Sequence, residues 1–166
     1  MNTKWTLSLR FVDTELERPR WRATANVRVI PRMQVGVEYN LAADEVDPLA
    51  TFFLLTETER RPALFLGTSS DRIGSPKGKQ AYSLTAAKYL PVVRTAPYVS
   101  LNYSQWSEGW NVPFGASVEL AGGFSIRPMY DGNRTHLLAL YTTERASLTL
   151  IWAWLERAGV AVSFGF

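Results

Sequence analysis

The sequence contains no cysteine and a single histidine, His136, among its 166 residues. Metal sites built from several histidine and cysteine ligands are therefore excluded, and so are disulfide bonds and a cysteine nucleophile. The glycine-containing segment 67–79 lacks the Gly-Lys-Ser/Thr ending of a phosphate-binding loop and the helix that follows it, so we interpret it as a surface loop. We predict no metal and no cofactor.

Long apolar runs are also missing from the chain. No segment approaches the ~18 consecutive apolar residues of a membrane-spanning helix, so any membrane crossing would have to be made by strands. The segment from Met1 to Lys4 leads straight into Trp5, without an apolar core of about 7–15 residues or a small-residue cleavage site. We expect that, if the protein is exported, its signal peptide has been removed.

The excess of positive charge is small, since 18 lysines and arginines stand against 15 aspartates and glutamates to give a net charge of +3. The basic residues are scattered and form no cluster interleaved with aromatic residues, which is the pattern that follows a nucleic-acid backbone. We therefore predict no nucleic-acid partner. Only 20% of the residues are charged and 46% are hydrophobic, which argues against a disordered chain.

Aromatic residues and a period of two are what the sequence has in quantity. It contains six tryptophans, seven tyrosines and eight phenylalanines. Twelve segments alternate apolar and polar residues as strands do, and no window of helical period is long enough to compete with them. In the first segment, every second residue from Trp5 to Phe11 is apolar. The pattern predicts one all-β domain over residues 1–166.

Four segments depart from simple alternation. Residues 42–48 predict an acidic loop, and the fourth strand, predicted at 49–58, is apolar on both faces. Ser70 to Lys79 is the least strand-like segment and predicts the longest loop. Pro113 lies within the predicted eighth strand, where it cannot donate a ladder hydrogen bond, so we expect a bulge there.

The last seven residues, Val160 to Phe166, place valines and phenylalanines on one face of a strand and small residues on the other. A final strand of this kind, ending on a carboxy-terminal Phe, resembles the last strand of bacterial outer-membrane β-barrels. The resemblance implies an all-β, closed, antiparallel transmembrane barrel of about 12 strands in the bacterial outer membrane. It also implies a lipid bilayer, or detergent, as the surroundings of the barrel.

Such a barrel turns its apolar face to lipid and its polar face to the lumen. The long charged loops 13–20, 42–48 and 70–79 then fall on the outer side, where Arg72, Lys77 and Lys79 are candidates for contact with lipopolysaccharide. The predicted pore-lining residues are Arg10, Arg22, Asn26, Arg28, Glu38, Glu119 and Arg127. The predicted aromatic girdles at the membrane interface include Trp5, Trp21, Trp110, Tyr130, Trp152, Trp154 and Phe166.

The sequence contains no arrangement of side chains that predicts an enzyme. Outer-membrane phospholipases are twelve-stranded barrels with a Ser-His-Asn site on the lipid-facing side, and His136 has the parity of Leu138 and Leu140, which predicts that it faces lipid near the outer rim. No serine or asparagine in an identifiable family motif accompanies it. The paired carboxylates Glu57/Glu59 and Asp44/Glu45 lie at turns and edges, where they are interpreted as solvated charges.

Function follows from the predicted lumen. Its mixed charges, with a small positive excess, predict a narrow pore or channel for passive passage of small polar or anionic solutes. One alternative is a structural outer-membrane barrel whose lumen is plugged by salt bridges. The other is a soluble β-barrel or sandwich, in which the apolar face is hidden, the polar face is solvated, and an apolar ligand binds inside.

Overall fold

The computed structural model describes residues 3–166, in which 13 strand segments are joined by short connections, one four-residue helix and one 3-10 turn. Met1 and Asn2, the chain start on which the prediction of a removed signal peptide depends, lie outside the described residues. No helix within residues 3–166 is long and apolar enough to cross a membrane. The strands are β1 (Trp5–Val12), β2 (Trp21–Ile30), β3 (Met33–Asn40), β4 (Glu45–Leu55), β5 (Ala63–Ser70), β6 (Gln80–Ala87), β7 (Thr95–Ser104), β8 (Gly109–Asn111), β9 (Phe114–Glu119), β10 (Phe124–Tyr130), β11 (Thr135–Thr142), β12 (Ala146–Ala153) and β13 (Arg157–Gly165); the helix is α1 (Glu17–Arg20) and the 3-10 turn is Pro91–Val93.

The strands form a closed antiparallel barrel. Each strand pairs with its neighbours in the chain, β1 pairs with β13, and no free edge remains between β6 and β7 because they also pair. The segments β8 and β9 both pair with β7 and act as one strand, so the 13 segments make a twelve-stranded barrel. The predicted closed, antiparallel, all-β barrel of about 12 strands is confirmed.

The polar face of the sheet points into the lumen and the apolar face points outward. In β1, Leu7 and Leu9 are 46% and 40% exposed, whereas Val12 is completely buried and Arg10 is half-buried. Leu148, Leu150 and Trp152 of β12 are likewise exposed. Hydrogen bonds reach across the inside between strands that are not neighbours, as from Ser70 on β5 to Glu38 on β3.

The two ends of the barrel differ in their connections. One end, called here the loop end, carries residues 13–20, 41–44, 71–79, 105–108, 131–134 and 154–156. The opposite end, the turn end, carries Thr3, Phe166 and the connections 31–32, 56–62, 88–94, 120–123 and 143–145. The two longest connections, 13–20 and 71–79, therefore lie at the same mouth of the lumen.

The predicted acidic loop at residues 42–48 is wrong in its second half. Strand β4 begins at Glu45, and Glu45 and Asp47 pair with Asn40 and Glu38 of β3. Both acidic side chains are buried on the inward face while Val46 between them is 66% exposed. The segment is therefore a strand, because the polar lumen accepts carboxylates at positions where a soluble sheet would not.

The predicted disturbance at Pro113 is present as a break of the strand at residues 112–113, between β8 and β9. Pro113 has no N–H to donate, but its carbonyl accepts a hydrogen bond from the backbone N of Ser100 at 2.8 Å. The ladder with β7 thus resumes on both sides of the proline, and the barrel remains closed.

The predicted lipid-facing position of His136 is wrong. The register pairs His136 with Met129 and Leu138 with Arg127, so both residues of β11 point into the lumen. His136 is only 2% exposed, whereas its neighbour Leu137 is 36% exposed. Both faces of β11 carry leucines, and its orientation is therefore fixed by the hydrogen-bond register with β10 and not by its own pattern.

Candidate functional site

A cavity of about 370 Å³ lies inside the barrel, toward the loop end, and is called here the central cavity. It has two chemically different sides. Basic side chains line the first, namely Arg10 and Arg22 from β1 and β2, Arg127 from β10, and Arg18 and Arg72 from the loop end. Apolar side chains line the second, namely Met129, Leu138, Leu140, Ile151 and Ala161.

Arg10 and Arg22 are direct cross-strand neighbours on β1 and β2. Residues directly opposite in an antiparallel pair have Cβ atoms about 4.5–5.5 Å apart, and like charges there repel each other. The Nε atoms of both arginines are buried without a hydrogen-bond partner. Within residues 3–166, Arg10 forms no hydrogen bond or ion pair at all, whereas Arg22 contacts Glu38 at 2.5 Å.

Glu38 is the carboxylate at the centre of the basic residues, and it is completely buried. Besides Arg22, the Nη1 of Arg18 lies 3.7 Å from its Oε1. The hydroxyl of Ser70 donates to the same oxygen at 2.5 Å, and the amide of Asn40 does so at 3.1 Å. A buried carboxylate needs such partners, because desolvation of an unpaired charge costs several kcal/mol. Removal of one partner of a buried ion pair typically costs about 3–5 kcal/mol of stability.

Arg18 joins the two longest loops over the loop end of the lumen. It comes from α1 and is 5% exposed. Its guanidinium donates to the backbone carbonyls of Ser75 at 2.8 Å, Asp71 at 2.7 Å and Arg72 at 3.1 Å, and to the hydroxyl of Ser75. Burial lowers the pKa of Arg18 below its ordinary value, although Glu38 and Glu45 nearby act in the opposite direction.

The loop 71–79 is held to the barrel wall by further contacts. Asp71 is 4% exposed and accepts hydrogen bonds from the Ser104 hydroxyl at 2.6 Å and the backbone N of Trp106 at 3.1 Å. The guanidinium of Arg72 lies 4.4 Å from the centre of the Trp106 ring. The loop therefore folds inward over the mouth, which differs from the predicted surface loop.

The basic side chains that were candidates for lipopolysaccharide contact lie in different surroundings. Arg72 is half-buried over Trp106 and faces the central cavity. Lys77 is exposed and donates to the backbone carbonyls of Ala43 at 3.0 Å and Asp44 at 2.9 Å. Lys79 is half-buried. Of these three candidates, Lys77 is therefore the one whose side chain is exposed on the outer surface of the loop.

His136 lies beside the central cavity, where both of its ring nitrogens form hydrogen bonds. Its Nε2 lies 2.7 Å from Asp131 Oδ2, and its Nδ1 accepts a hydrogen bond from the backbone N of Trp154 at 3.1 Å, so the ring proton is assigned to Nε2. Burial opposes ionisation of Asp131, but hydrogen bonds from His136 and from the backbone amides of Arg134 and Asn133 outweigh it and lower its pKa. His136 thus ties two loop-end hairpins together.

The turn between β12 and β13 that His136 holds is conformationally unusual. Trp154 and Leu155 have positive φ angles of 55° and 57°. Two consecutive left-handed residues are required by the tightest hairpin turns, where glycine and asparagine are preferred. The bulky pair is tolerated here because the backbone N of Trp154 is bonded to His136 and its ring is covered by Arg134.

Between the central cavity and the turn end, the inward face carries neutral polar side chains together with the aromatic pair Phe53 and Phe65, since Phe65 is the register partner of Thr85. A smaller cavity of about 160 Å³ is bordered by Asn26, Gln34, Thr51, Thr68 and Ser69 among others. Opposite it, the hydroxyls of Thr85 and Ser100 lie 2.6 Å apart. Hydroxyl and amide groups can form hydrogen bonds with a polar solute. The side chains named here carry no cluster of charges comparable to that at the loop end.

The predicted pore-lining residues all lie on the inward face of the sheet, at different depths. Arg10, Arg22, Asn26, Glu38 and Arg127 are inside the lumen. Arg28 and Glu119 are exposed at the turn-end rim, where Glu119 accepts a hydrogen bond from the hydroxyl of Tyr89 at 2.8 Å. That bond, together with burial and the nearby charge, raises the pKa of Tyr89.

The predicted aromatic residues fall near the two ends of the apolar surface. Trp5 and Phe166 are exposed at the turn end, and Trp21, Trp110 and Trp152 are exposed toward the loop end. Tyr130 is half-buried. Trp154 lies in the β12–β13 turn, half-buried, with its ring 5.7 Å from the Arg134 guanidinium, and not on the apolar face.

Sequence reasoning missed two groups of residues in the lumen. Arg18 and Arg72 come from loops, where alternation carries no information about direction. The apolar residues Met129, Leu138, Leu140 and Ile151 face inward although the polar face was expected there. The double-sided leucine pattern of β11 was the one sequence signal of this apolar wall.

The arrangement can attract, hold and orient an anion, because several guanidinium groups face one cavity and, within residues 3–166, those of Arg10 and Arg127 form no ion pair. Within residues 3–166, no group of three or more histidine, aspartate or glutamate side chains could hold a metal ion. Comparison with protein-family models and with the sequences of characterised proteins gives no match.

Proposed function

We propose that the protein is a barrel of the bacterial outer membrane whose lumen forms a narrow passage for small polar solutes, with a preference for anions. The observation that carries the proposal is the reversed polarity of the sheet. Among residues 3–166, 38 large hydrophobic side chains are exposed and only four hydrophobic residues are buried. Soluble monomers rarely expose apolar patches of more than about 300–600 Å².

A lipid bilayer is the environment that suits this exterior. Exposed leucines, valines and phenylalanines cover the outside of the strands, and tryptophans lie near both ends, at the level where amphipathic rings prefer the headgroups. The carboxy-terminal Phe166 is 69% exposed beside the turn end. These features support the outer membrane as the location and lipids as the partner of the barrel.

The lining of the lumen supports the preference for anions. Five arginines and only two aspartates border the central cavity. Glu38 neutralises part of this charge, but Arg10 lacks any ion pair within the described residues. The hydroxyl of Ser70 at the cavity wall is bonded to Glu38, but two arginines already hold that carboxylate, so the proposal gives the lumen a role in binding and passage.

A second candidate function is a structural barrel with a plugged lumen. The contacts of Arg18 with Ser75, Asp71 and Glu38 support it, because they close the loop end with buried hydrogen bonds. The two candidates differ in whether these loops ever move aside.

Planar-bilayer recording tests the proposal. The wild-type barrel should give small current steps, with a reversal potential in a salt gradient that indicates anion preference. Arg127→Glu should shift the reversal potential toward cations, because it reverses one lumenal charge that forms no ion pair with any of the described residues. Arg60→Glu is the matched control, since Arg60 is exposed on the connection 56–62 outside the lumen.

Each outcome has a definite meaning. A shift for Arg127→Glu and none for Arg60→Glu supports the anion-favouring passage. Equal selectivity of wild type and Arg127→Glu would overturn it. Absence of current from a barrel that is folded in the bilayer would favour the plugged structural barrel, whereas a barrel that stays monodisperse in buffer without detergent would contradict the membrane location itself.

A further inference from the structure

The two walls of the central cavity do not serve the same kind of ligand. Passage of inorganic ions requires the arginines but not Met129, Leu138 and Leu140. Exposure of these apolar side chains to water in the lumen is unfavourable. These side chains are inward-facing in β10 and β11 and remain only half-buried. They are an apolar surface inside the barrel that nothing in residues 3–166 fully covers.

The basic wall is likewise incomplete. Arg10 and Arg22 lie opposite each other as like charges, and the buried Nε atoms of both lack acceptors. The two carboxylates that border the cavity are already engaged, Asp71 with Ser104 and Asp131 with His136. An anion between the arginines would supply the missing acceptors through charge-assisted hydrogen bonds and would reduce the repulsion.

The basic and apolar walls meet at two places. On β10, Arg127 and Met129 are two residues apart on the same face, and Arg127 is the register partner of Leu138. On β1, Arg10 is the register partner of Ala161 of β13. One small molecule can therefore contact a guanidinium and an aliphatic side chain together. The cavity volume of about 370 Å³ is within the range of small-molecule sites, about 300–1,000 Å³.

We propose that the central cavity is a binding site for organic monocarboxylates with a short aliphatic body. The carboxylate faces Arg10 and Arg22, and the aliphatic body packs on Met129, Leu138 and Leu140. The inference rests on the proposed function, since it names the class of anion that the lumen takes, but binding can be measured without conduction.

Isothermal titration of the barrel in phosphatidylcholine nanodiscs, with empty nanodiscs subtracted, tests the site. Hexanoate is the probe, hexanamide removes its charge, and acetate removes its apolar body. We expect saturable binding of hexanoate and at least tenfold weaker binding of the other two. Hexanamide loses a charge-assisted hydrogen bond of about 1.5–3 kcal/mol, a factor of roughly ten or more, and acetate loses the burial of the methylene groups that it lacks.

Three variants locate the site within the barrel. Arg10→Met and Leu140→Asn should each weaken hexanoate binding at least tenfold, one by removing a donor to the carboxylate and the other by making the apolar wall polar. Arg60→Gln, outside the lumen, should bind as the wild type does. Arg10→Met should also fold with an equal or higher urea midpoint, because it removes a charge that has no partner.

The inference is overturned by any of three results: no saturable hexanoate binding, hexanamide or acetate binding as tightly as hexanoate, or unchanged binding by both Arg10→Met and Leu140→Asn. Hexanoate binding by a barrel that passes no current supports the site while it contradicts the passage. Current without hexanoate binding has the opposite meaning.

Discussion

Glu38 is the residue on which the lumenal charges depend. It is completely buried and is contacted by two arginines, a serine and an asparagine. Such an arrangement is not necessarily more stable than an apolar core of the same shape, because desolvation of the charges offsets much of their attraction. Its effect is specific: each partner needs the others in place.

Glu38→Gln should therefore destabilise the barrel by about 3–5 kcal/mol, because it leaves the buried Arg18 and the half-buried Arg22 without their carboxylate. Urea unfolding in detergent, followed by the shift of the heat-modifiable gel band, measures the change. Glu57→Gln is the control, since Glu57 is a half-exposed partner of Lys88 and an exposed pair contributes about 0–1 kcal/mol. If the two variants unfold at the same urea concentration, the lumenal charges do not form the network described.

A double variant separates charge loss from loss of shape. Arg22→Met in the Glu38→Gln background should recover part of the stability, because it removes one of the charges that the first change leaves unpaired. A further loss in the double variant would show that Arg22 contributes through its packing alone.

In the proposed passage, the loops 13–20 and 71–79 form the element that decides whether the lumen is open. Their contact depends on Arg18, the one buried charged residue of α1. Its guanidinium donates hydrogen bonds to loop carbonyls that are not paired in the sheet. Arg20, in the same helix, is exposed. The helix therefore offers a functional residue and a matched control two positions apart.

Arg18→Ala should release the loop 71–79, so that trypsin cleaves after Lys77 and Lys79 several-fold faster and the bilayer current rises. Arg20→Ala should change neither. Both measurements are made on the barrel in lipid, where the strands remain protected from the protease. If Arg18→Ala is cleaved at the wild-type rate, the loops are held by Asp71 and Lys77 and not by Arg18.

Strands were predictable from the sequence where one face is apolar and the other polar, as in β1 and β13. Prediction failed where that contrast is lost. The acidic residues of segment 42–48 predict a loop, yet Glu45 and Asp47 lie on strand β4 and are buried in the polar lumen. The leucines of β11 lie on both faces, and only pairing with β10 determines that His136 and Leu138 point inward.

The residues of the central cavity were predictable from the sequence where they lie on strands, and not where they lie on loops. Alternation identified Arg10, Arg22, Glu38 and Arg127 as one face, because the face of a strand follows from its parity. It could not identify Arg18, since no period governs the direction of a loop side chain. The asymmetry of the cavity was hidden for another reason: it arises from strands β10 to β13 together, and each strand alone gives no sign of it.

The barrel as a whole has an apolar outside, a cluster of arginines inside and one mouth covered by loops, and the first of these properties can be tested apart from the others. Trp152 is 51% exposed on the apolar surface, whereas Trp154 is half-buried in the turn beneath Arg134. The two tryptophans are separated by one residue, so they report on the outer surface and on the mouth at almost the same height along β12.

In vesicles containing lipids brominated along the acyl chain, the tryptophan fluorescence of the barrel should be quenched. Trp152→Phe should reduce the quenched part of the emission, because it removes a ring that faces lipid, and Trp154→Phe should leave that part unchanged. Both replacements keep an aromatic ring and so preserve packing. Equal quenching of both variants would contradict the two positions described here, and no quenching in the wild type would mean that the apolar face of the sheet does not contact hydrocarbon, so that an aqueous partner must cover it instead.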